Sequence, residues 1–359
     1  MNDVSKQPMI CIVGPCLKMG GMERASANLA NSLQALGAAT QYVAVFQHER
    51  FFTLHPDIVF REPQGFNCHS LSFLKTIRYL RHTIRELKPQ SVLAFNKFYA
   101  ALTLLATMGL GIPVFISERS SPLFQWGKKL DFFHALVYRL REPRGIMAQT
   151  QIAASYQQQY YGKSIPIKVI PNAVRPIVRF PEIKREKTVL AVGRFNDHLK
   201  GFDRLIEAFA MISAPEWRLV FAGGDENGAE LKSLASKCNI SDRVDYLGRI
   251  RDLDPVYAAA SIFVIPSRSE GFPNALCEAM AAGLPCIAFD FIAGPRDLIQ
   301  HDRNGILVSD GDILGLAQAI ESLIVNPEKR RQLGKEAENI AERLKGEDIA
   351  QETLKFILS

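Results

Sequence analysis

Two carboxylates eight positions apart, Glu270 and Glu278, sit in the stretch Ser267-Arg268-Ser269-Glu270-Gly271-Phe272-Pro273-Asn274-Ala275-Leu276-Cys277-Glu278, which runs on to Gly283-Leu284-Pro285. Pro273 suits the first turn of a helix, where its fixed φ and missing N–H cost nothing, and Gly283 and Pro285 stop that helix after about ten residues. Glu270 is then expected in the loop before the helix and Glu278 on its second turn. A helix N-terminus carries unpaired N–H groups and roughly half a positive charge, so a phosphate can dock there while the two carboxylates accept hydrogen bonds from hydroxyls around it. Riboses and sugars are rich in such hydroxyls, and the spacing points to a sugar-nucleotide site. A solvated loop acid followed by an ordinary helix glutamate is the competing explanation.

Cations are placed to serve the same chemistry. Breaking the bond between an anomeric carbon and a phosphate oxygen builds negative charge on the leaving diphosphate, and fixed positive groups aimed at developing charge are usually the largest catalytic contribution. Arg194 directly follows Gly193, and Lys200 lies in Asn196-Asp197-His198-Leu199-Lys200-Gly201, in one loop. Near the N-terminus, Gly20 and Gly21 let a backbone approach a ligand where a side chain would collide, just before a helical pattern; a plain structural turn is the alternative. The glycines form neither a G-x-G-x-x-G fingerprint nor a P-loop, which disfavours nicotinamide and ATP.

These residues need strands to hold them, and the sequence supplies two series. Apolar runs at Ile10–Gly14, Gln41–Phe46, Ser91–Phe95, Pro113–Ser117 and Ile167–Pro171 alternate with helical patterns at Ala25–Leu36, Ser72–Leu87 and Ala100–Met108. The pattern restarts at Thr188–Arg194 and continues through Arg218–Ala222, Val244–Leu247, Ile262–Pro266 and Pro285–Phe289, with helices at Phe202–Ile212 and Leu314–Ile324. Strands that are apolar throughout and separated by helices indicate parallel sheets covered on both faces. Ligands of such sheets bind beyond the strands' carboxyl ends, which is where the glycine loops and both glutamates fall. The expected organisation is an α/β protein of two Rossmann-like domains, residues 1–172 and 173–345, facing each other across a cleft, followed by a polar, amphipathic tail, 346–359.

Several ordered segments resemble the retaining glycosyltransferases of family 4, whose fold is GT-B with a final helix that crosses back onto the first domain, a role the resemblance gives to 346–359. They are Met19-Gly20-Gly21-Met22-Glu23-Arg24, Gly193-Arg194 with Lys200-Gly201, Glu270 to Glu278 as an E-x7-E signature, Gly294-Pro295-Arg296-Asp297-Leu298-Ile299 and Asn304-Gly305-Ile306-Leu307-Val308. The resemblance implies that Arg194 and Lys200 bind the donor pyrophosphate, that Gly20 and Gly21 lie near the donor phosphates and acceptor, and that Glu278 meets the ribose. It further implies that Glu270 meets the transferred sugar, beside the backbone amides of Gly271, Phe272 and Asn274, and that the main chain at Arg249 and Ile250 meets the base. The donor implied is a UDP-sugar. Where many relatives carry a histidine, this chain has Ser117-Glu118-Arg119. That departure resembles a subgroup building bacterial lipid-linked oligosaccharides, with Glu118 orienting donor or acceptor; a buried salt bridge to Arg119 is its rival role.

The helix at Ser72–Leu87 spaces Lys75, Arg78, Arg81, His82 and Arg85 three and four residues apart, opposite an apolar face of Leu71, Leu74, Ile77, Leu80, Ile84 and Leu87. A solvated basic side explains this simply. In the lipid-linked N-acetylgalactosamine transferases of the resembled subgroup, such a helix takes the acceptor's pyrophosphate, which gives Lys75, Arg78 and Arg85 that role here.

Composition sets the outer limits. Residues 1–170 carry 19 Lys and Arg against 9 Asp and Glu, and the rest 24 against 28, which recovers the net +6. A basic first half suits anionic lipid or a pyrophosphate-linked lipid, and nucleic acid is disfavoured because no binding motif accompanies it. No apolar run reaches the roughly 20 residues of a membrane helix, and Asn2 to Gln7 lack the basic-then-apolar pattern of a secretion signal, so a cytoplasmic protein, peripheral on the membrane, is expected. Six cysteines without a C-x-x-C pair are expected as buried free thiols. Asp252-Leu253-Asp254 reads as a helix cap rather than a metal-holding D-x-D, and no metal or other cofactor is expected. A glycosyltransferase is the expected function, with a sugar-nucleotide epimerase or a silent sugar-nucleotide-binding subunit as rivals.

Overall fold

The structure, a computed structural model, describes residues 7–69, 72–124, 127–224, 228–292 and 294–359. Leu71 and all but the last residue of the polar N-terminal stretch lie outside them. The chain divides into two compact units, Met1–Ala173 with Leu344–Ser359, and Val174–Arg343.

The first unit is built on a 7-stranded sheet, β1 (Met9–Gly14), β2 (Ala39–Ala44), β3 (Val59–Arg61), β4 (Ser91–Phe95), β5 (Val114–Ser117), β6 (Gly145–Ala148) and β7 (Ile167–Val169), in the spatial order β3-β2-β1-β4-β5-β6-β7. Its pairings are parallel, as fully apolar strands require. Successive residues of a strand face opposite sides, so β1 feeds two cores. Cys11 and Val13 pack beneath helices α2 (Phe73–Leu87), α3 (Asn96–Ala106) and α4 (Lys128–Leu140), whereas Ile10 and Ile12 pack with α1 (Gly21–Ala35). α5 (Gln151–Tyr161) joins β6 to β7, and the hydroxyl of Thr150 starts it by accepting from the Ala153 N–H at 3.1 Å.

The second unit has six parallel strands, β8 (Thr188–Val192), β9 (Arg218–Ala222), β10 (Val244–Tyr246), β11 (Ile262–Ile265), β12 (Cys286–Phe289) and β13 (Ile306–Val308), in the order β10-β9-β8-β11-β12-β13. Its helices are α6 (Phe202–Ala210), α7 (Ala229–Lys237), α8 (Asp254–Ala259), α9 (Asn274–Ala281), α10 (Pro295–Leu298), α11 (Ile313–Val325), α12 (Pro327–Ala337) and α13 (Ile340–Arg343). The last helix, α14 (Gly346–Ile357), belongs to the first unit: it packs on α1, sets the Phe356 ring 5.3 Å from that of Phe115, and buries Ile349, Ala350 and Ile357. In both sheets the order of connection reverses once, between β1 and β4 and between β8 and β11, and the two glycine-bearing loops follow β1 and β8.

Some expectations shift in detail. α9 begins at Asn274, so Pro273 stands just before the helix rather than in its first turn, while Glu278 is on the second turn. The helix is stopped where Gly283 takes φ +73°. Asp254 is the first residue of α8 and its side chain is committed to Arg175; it is Asp252 that accepts the Asp254 N–H, at 3.0 Å. On α2, Leu74 is 65% exposed instead of buried, because the inward face is carried by Phe73, Ile77, Leu80, Ile84 and Leu87. Four of the free cysteines are buried and two, Cys68 and Cys238, half-buried. Among the described residues no helix is long and apolar enough to cross a membrane.

Candidate active site

At the reversal between β8 and β11 two loops lock together. Lys200, in a short 3-10 turn whose start is fixed by Asp197 accepting the Leu199 N–H at 3.1 Å, places Nζ 2.8 and 3.0 Å from the two carboxylate oxygens of Glu270. Glu270 also accepts from the Ser267 hydroxyl at 2.8 Å. The loops are tied by backbone, Arg268 N–H to the Leu199 carbonyl at 2.8 Å, and by the Arg268 guanidinium on both oxygens of Asp203. Gly201 makes the junction possible: it takes φ +66°, and a Cβ there would overlap the Pro266 carbonyl oxygen. Two sites expected from sequence, Lys200 and Glu270, are thus one ion pair, largely shielded, with side chains 22% and 12% exposed.

Arg194 is placed on the same loop but pairs with Asp197 at 2.6 Å and is largely open to solvent. Past β11, Gly271, Phe272 and Asn274 lead into α9, with Phe272 buried. Glu278 takes a different setting. It is 3% exposed, accepts from the Tyr257 hydroxyl at 3.2 Å, and lies 3.5 Å from the Arg175 guanidinium, which also bonds Asp254. Burial lowers the Arg175 pKa, but the bond to Asp254 and the charge of Glu278 outweigh it and raise the guanidinium above its usual range. Arg249 and Ile250 follow β10 and Gly248, whose φ is +66°; Arg249 is exposed.

In the first unit, Gly20 is extended and accepts the Arg24 N–H through its carbonyl, starting α1. A Cβ at Gly20 would strike the carboxylate of Glu23, which is buried in the helix's first turn. On α2 the exposed basic residues are Lys75, Arg78, His82 and Arg85; Arg81 leaves the stripe to donate to the carbonyls of Ala106 and Met108 at 3.0 and 2.7 Å, closing the end of α3.

Glu118 follows β5 and is 4% exposed. One oxygen accepts the N–H groups of Arg119 and Ser120 at 3.1 and 3.0 Å. The rival salt bridge does not form: the Arg119 guanidinium donates instead to the Ser117 hydroxyl at 2.6 Å and to Asn172. Burial raises the Glu118 carboxyl, partly offset by the Lys97 charge, and lowers the Arg119 pKa to about 10.

Sequence analysis missed Asn96 and Lys97, after β4, and the α5 residues Tyr156, Gln157 and Tyr160. Asn96 holds φ +69° and donates to the Ser120 hydroxyl at 2.9 Å; Lys97 sets Nζ 3.9 Å from the Tyr160 ring centroid. A capping Thr150 ahead of tyrosines spaced by four was the available signal for α5.

Comparison with known proteins agrees with this construction. A family model described as Glycosyltransferase Family 4 matches residues 19–176, and one described as Glycosyl transferases group 1 matches residues 176–340. An uncharacterized glycosyltransferase of Haemophilus influenzae is 28% identical over 340 residues, 93% of this chain and 95% of that one. The Campylobacter jejuni GalNAc-α-(1→4)-GalNAc-α-(1→3)-diNAcBac-PP-undecaprenol α-1,4-N-acetyl-D-galactosaminyltransferase is 25% identical over 350 residues, 95% and 96% of the two chains. Among solved structures, TarM superposes with TM-score 0.83 at 14% identity over 100% of both chains. Anabaena Alr3699/HepE in complex with UDP and glucose does so with 0.80 at 19%, over 98% and 99%. The two parallel-sheet units with these matches define a glycosyltransferase of the GT-B type. The chain belongs to glycosyltransferase family 4.

Proposed function

We propose that this enzyme moves a hexose or N-acetylhexosamine from a UDP-sugar, with retention, to a saccharide carried on a polyprenyl pyrophosphate, in bacterial glycan assembly. The carrying observation is the Lys200–Glu270 pair at the β8–β11 reversal, the edge at which open α/β sheets take their ligands. Lys200 and Arg194 neutralise the leaving diphosphate, and Glu270, already oriented by Ser267 and Lys200, accepts a hydroxyl of the transferred sugar. Two cations at hand make a metal unnecessary for that charge. In a same-face mechanism the leaving phosphate takes the proton of the incoming hydroxyl, so no protein base is needed. UDP is supported as the nucleotide by the complexes of Anabaena HepE, and the lipid-linked acceptor by the name of the Campylobacter relative.

The first unit offers an anionic membrane a fitting surface. α4 exposes Phe132, Leu136 and Leu140 at helical spacing, flanked by exposed Lys128, Lys129 and Arg139. α2, with Lys75, Arg78 and Arg85 exposed, is packed beside it through Phe73 and Phe133, ring centroids 5.5 Å apart. Apolar side chains inserted among headgroups, ringed by cations, bind anionic lipid.

The test is UDP release from a panel of UDP-sugars, with and without a membrane lipid extract, for wild type and Glu270→Gln. Acceptor-dependent release from one sugar, lost in the variant, is expected. An altered monosaccharide formed without acceptor would establish an epimerase instead, and binding without turnover a silent subunit.

A further inference from the structure

Residues 170–187 join β7 to β8 with no helix or strand of their own, and their three arginines hold the helices around Glu278. The segment follows α8 from end to end. The Val178 N–H donates to Asp254, the first residue of α8, at 2.9 Å. At the other end the Glu186 N–H reaches the Ala259 carbonyl at 2.7 Å and the Arg185 guanidinium that of Ala260 at 3.0 Å. α9 is gripped as well: Arg179 donates to the carbonyls of Ala281 and Ala282 at 3.2 and 3.3 Å, and Arg185 to that of Gly283 at 3.0 Å. Carbonyls at a helix C-terminus lack partners within the helix and carry its negative end, so guanidinium groups there fix where the helix lies. Gly283 lies at this clasp: a Cβ on it would strike Glu338, the carboxylate that Arg179 pairs with at 3.2 Å.

Arg175 completes the hold from the side. Its Nη1 donates to the Pro176 carbonyl at 3.2 Å, while Nη2 bonds Asp254 and stands 3.5 Å from Glu278 Oε2. That same oxygen accepts the Tyr257 hydroxyl, on α8, at 3.2 Å. The side chains of Asp254 and Glu278 are 3% and 4% exposed, and two carboxylates so buried beside one guanidinium nitrogen depend on that cation. Burying such a group is costly, and an apolar residue at 278 would pack α9 without the cost. A carboxylate kept there and oriented from two sides is therefore suited to a ligand that donates hydrogen bonds to it.

We propose that Arg175 and Tyr257 are positioning residues for recognition of the nucleotide's ribose. Acting through Glu278, they set its carboxylate at the angle the ribose hydroxyls require, so the preference for a ribonucleotide over a deoxyribonucleotide is decided by two side chains that do not touch the ribose. The inference deepens the function proposed above and rests on it for the uridine nucleotide, with its ribose at Glu278.

Calorimetric titration of UDP, 2′-deoxy-UDP and 3′-deoxy-UDP into the full chain tests it, on wild type, Glu278→Ala, Arg175→Met and Tyr257→Phe. Wild type is expected to bind UDP roughly tenfold or more tighter than at least one deoxy analogue, and Glu278→Ala to abolish that preference. Arg175→Met and Tyr257→Phe are each expected to cut the preference at least about threefold, by weakening UDP more than the analogues. A clamp with a purely structural role would weaken all three nucleotides alike and leave the preference as in wild type, which overturns the proposal. Tyr257→Phe keeps the buried ring and removes one oxygen, so it remains measurable if Arg175→Met does not fold. Arg175→Lys then replaces the methionine variant and is held to the same outcome, because a lysine keeps a cation but cannot serve Pro176, Asp254 and Glu278 together. Failure of the underlying function reads differently. UDP that does not bind, a wild type without preference, or a preference that Glu278→Ala leaves intact removes the ribose from Glu278 and the proposal with it. A preference lost in Glu278→Ala and kept in the Arg175 and Tyr257 variants removes the positioning role alone.

Discussion

Lys200 and Glu270, 70 residues apart in the chain, meet with the ammonium 2.8 and 3.0 Å from the two oxygens of one carboxylate. In the function proposed above, the cation serves the leaving diphosphate and the carboxylate a sugar hydroxyl, while each holds the other in place. Replacing either one therefore disturbs both tasks. Lys200→Ala and Glu270→Gln are each expected to lower kcat by about 10²–10³, a barrier increase on the order of 3–4 kcal/mol. The double variant should cost far less than the product of the two. Steady-state kinetics on the three variants checks it; multiplicative losses would show that the residues act independently.

Gly201 is the hinge of that arrangement. Gly201→Ala asks a side chain to adopt φ +66° with its Cβ overlapping the Pro266 carbonyl oxygen. The loop must shift, which pulls Lys200 from Glu270. A stability loss of roughly 2 kcal/mol or more is expected, with weakened UDP binding. Chemical denaturation and calorimetric titration of UDP read the two effects; an unchanged UDP affinity would separate the loop from nucleotide binding.

Glu118 is held in a way that costs stability, with its carboxyl buried and raised by that burial. Because its folded pKa lies above the unfolded one, the folded state is penalised as pH rises through that interval. Glu118→Gln keeps the oxygen that accepts from Arg119 and Ser120 and removes the buried charge. The variant should be as stable as wild type at neutral pH, or more so by about 1 kcal/mol, while transfer falls at least roughly tenfold. A residue with a purely structural role would give the reverse, lower stability with activity retained.

The surfaces of α2 and α4 predict separable losses. Phe132→Ser with Leu136→Ser should reduce partition onto vesicles of anionic phospholipid by roughly tenfold or more, with little effect on neutral vesicles, where binding is already weak. Lys75, Arg78 and Arg85 changed together to Gln should weaken transfer to a pyrophosphate-linked acceptor far more than to a simple soluble sugar. Vesicle sedimentation and rates on the two acceptor types decide; equal losses on both acceptors would take the pyrophosphate role from α2.

What the sequence disclosed was set by how local each signal is. Strands such as Ser91–Phe95 and Arg218–Ala222 are apolar after one polar first residue and bounded by turn residues, so the sequence marks them to the residue. Lys200 and Glu270 could be named separately, because each follows a strand, but their pairing depends on β8 and β11 being neighbours. α4 was hidden by its exposed Phe132, Leu136 and Leu140, which blur the period a buried helix face would show, and α5 by a polar run of glutamines. α4 carries the exposed Phe132, Leu136 and Leu140, and α5 carries Tyr156, Gln157 and Tyr160. Arg81 looked like one of five equivalent basic residues, and its capping of α3 is a contact 25 residues away that spacing on α2 could not express.

His134 gives the fold a titration independent of the reaction. Its ring is fully buried on α4 among Phe98, Phe133 and Tyr138. Burial, helped by the Lys97 charge and opposed by Asp131, lowers its pKa from 6.5 to about 4. The unfolded chain therefore binds a proton between those values that the folded chain refuses. Stability is full above pH 6.5, falls as pH drops, and levels off below about pH 4, a total on the order of 3 kcal/mol. Between pH 7.5 and 5, urea denaturation of wild type should lose roughly 2 kcal/mol more than His134→Phe does. The comparison uses the slope with pH and not the absolute stability, so it survives any packing cost of the larger ring; parallel slopes would mean that the folded protein protonates His134 as readily as the unfolded chain.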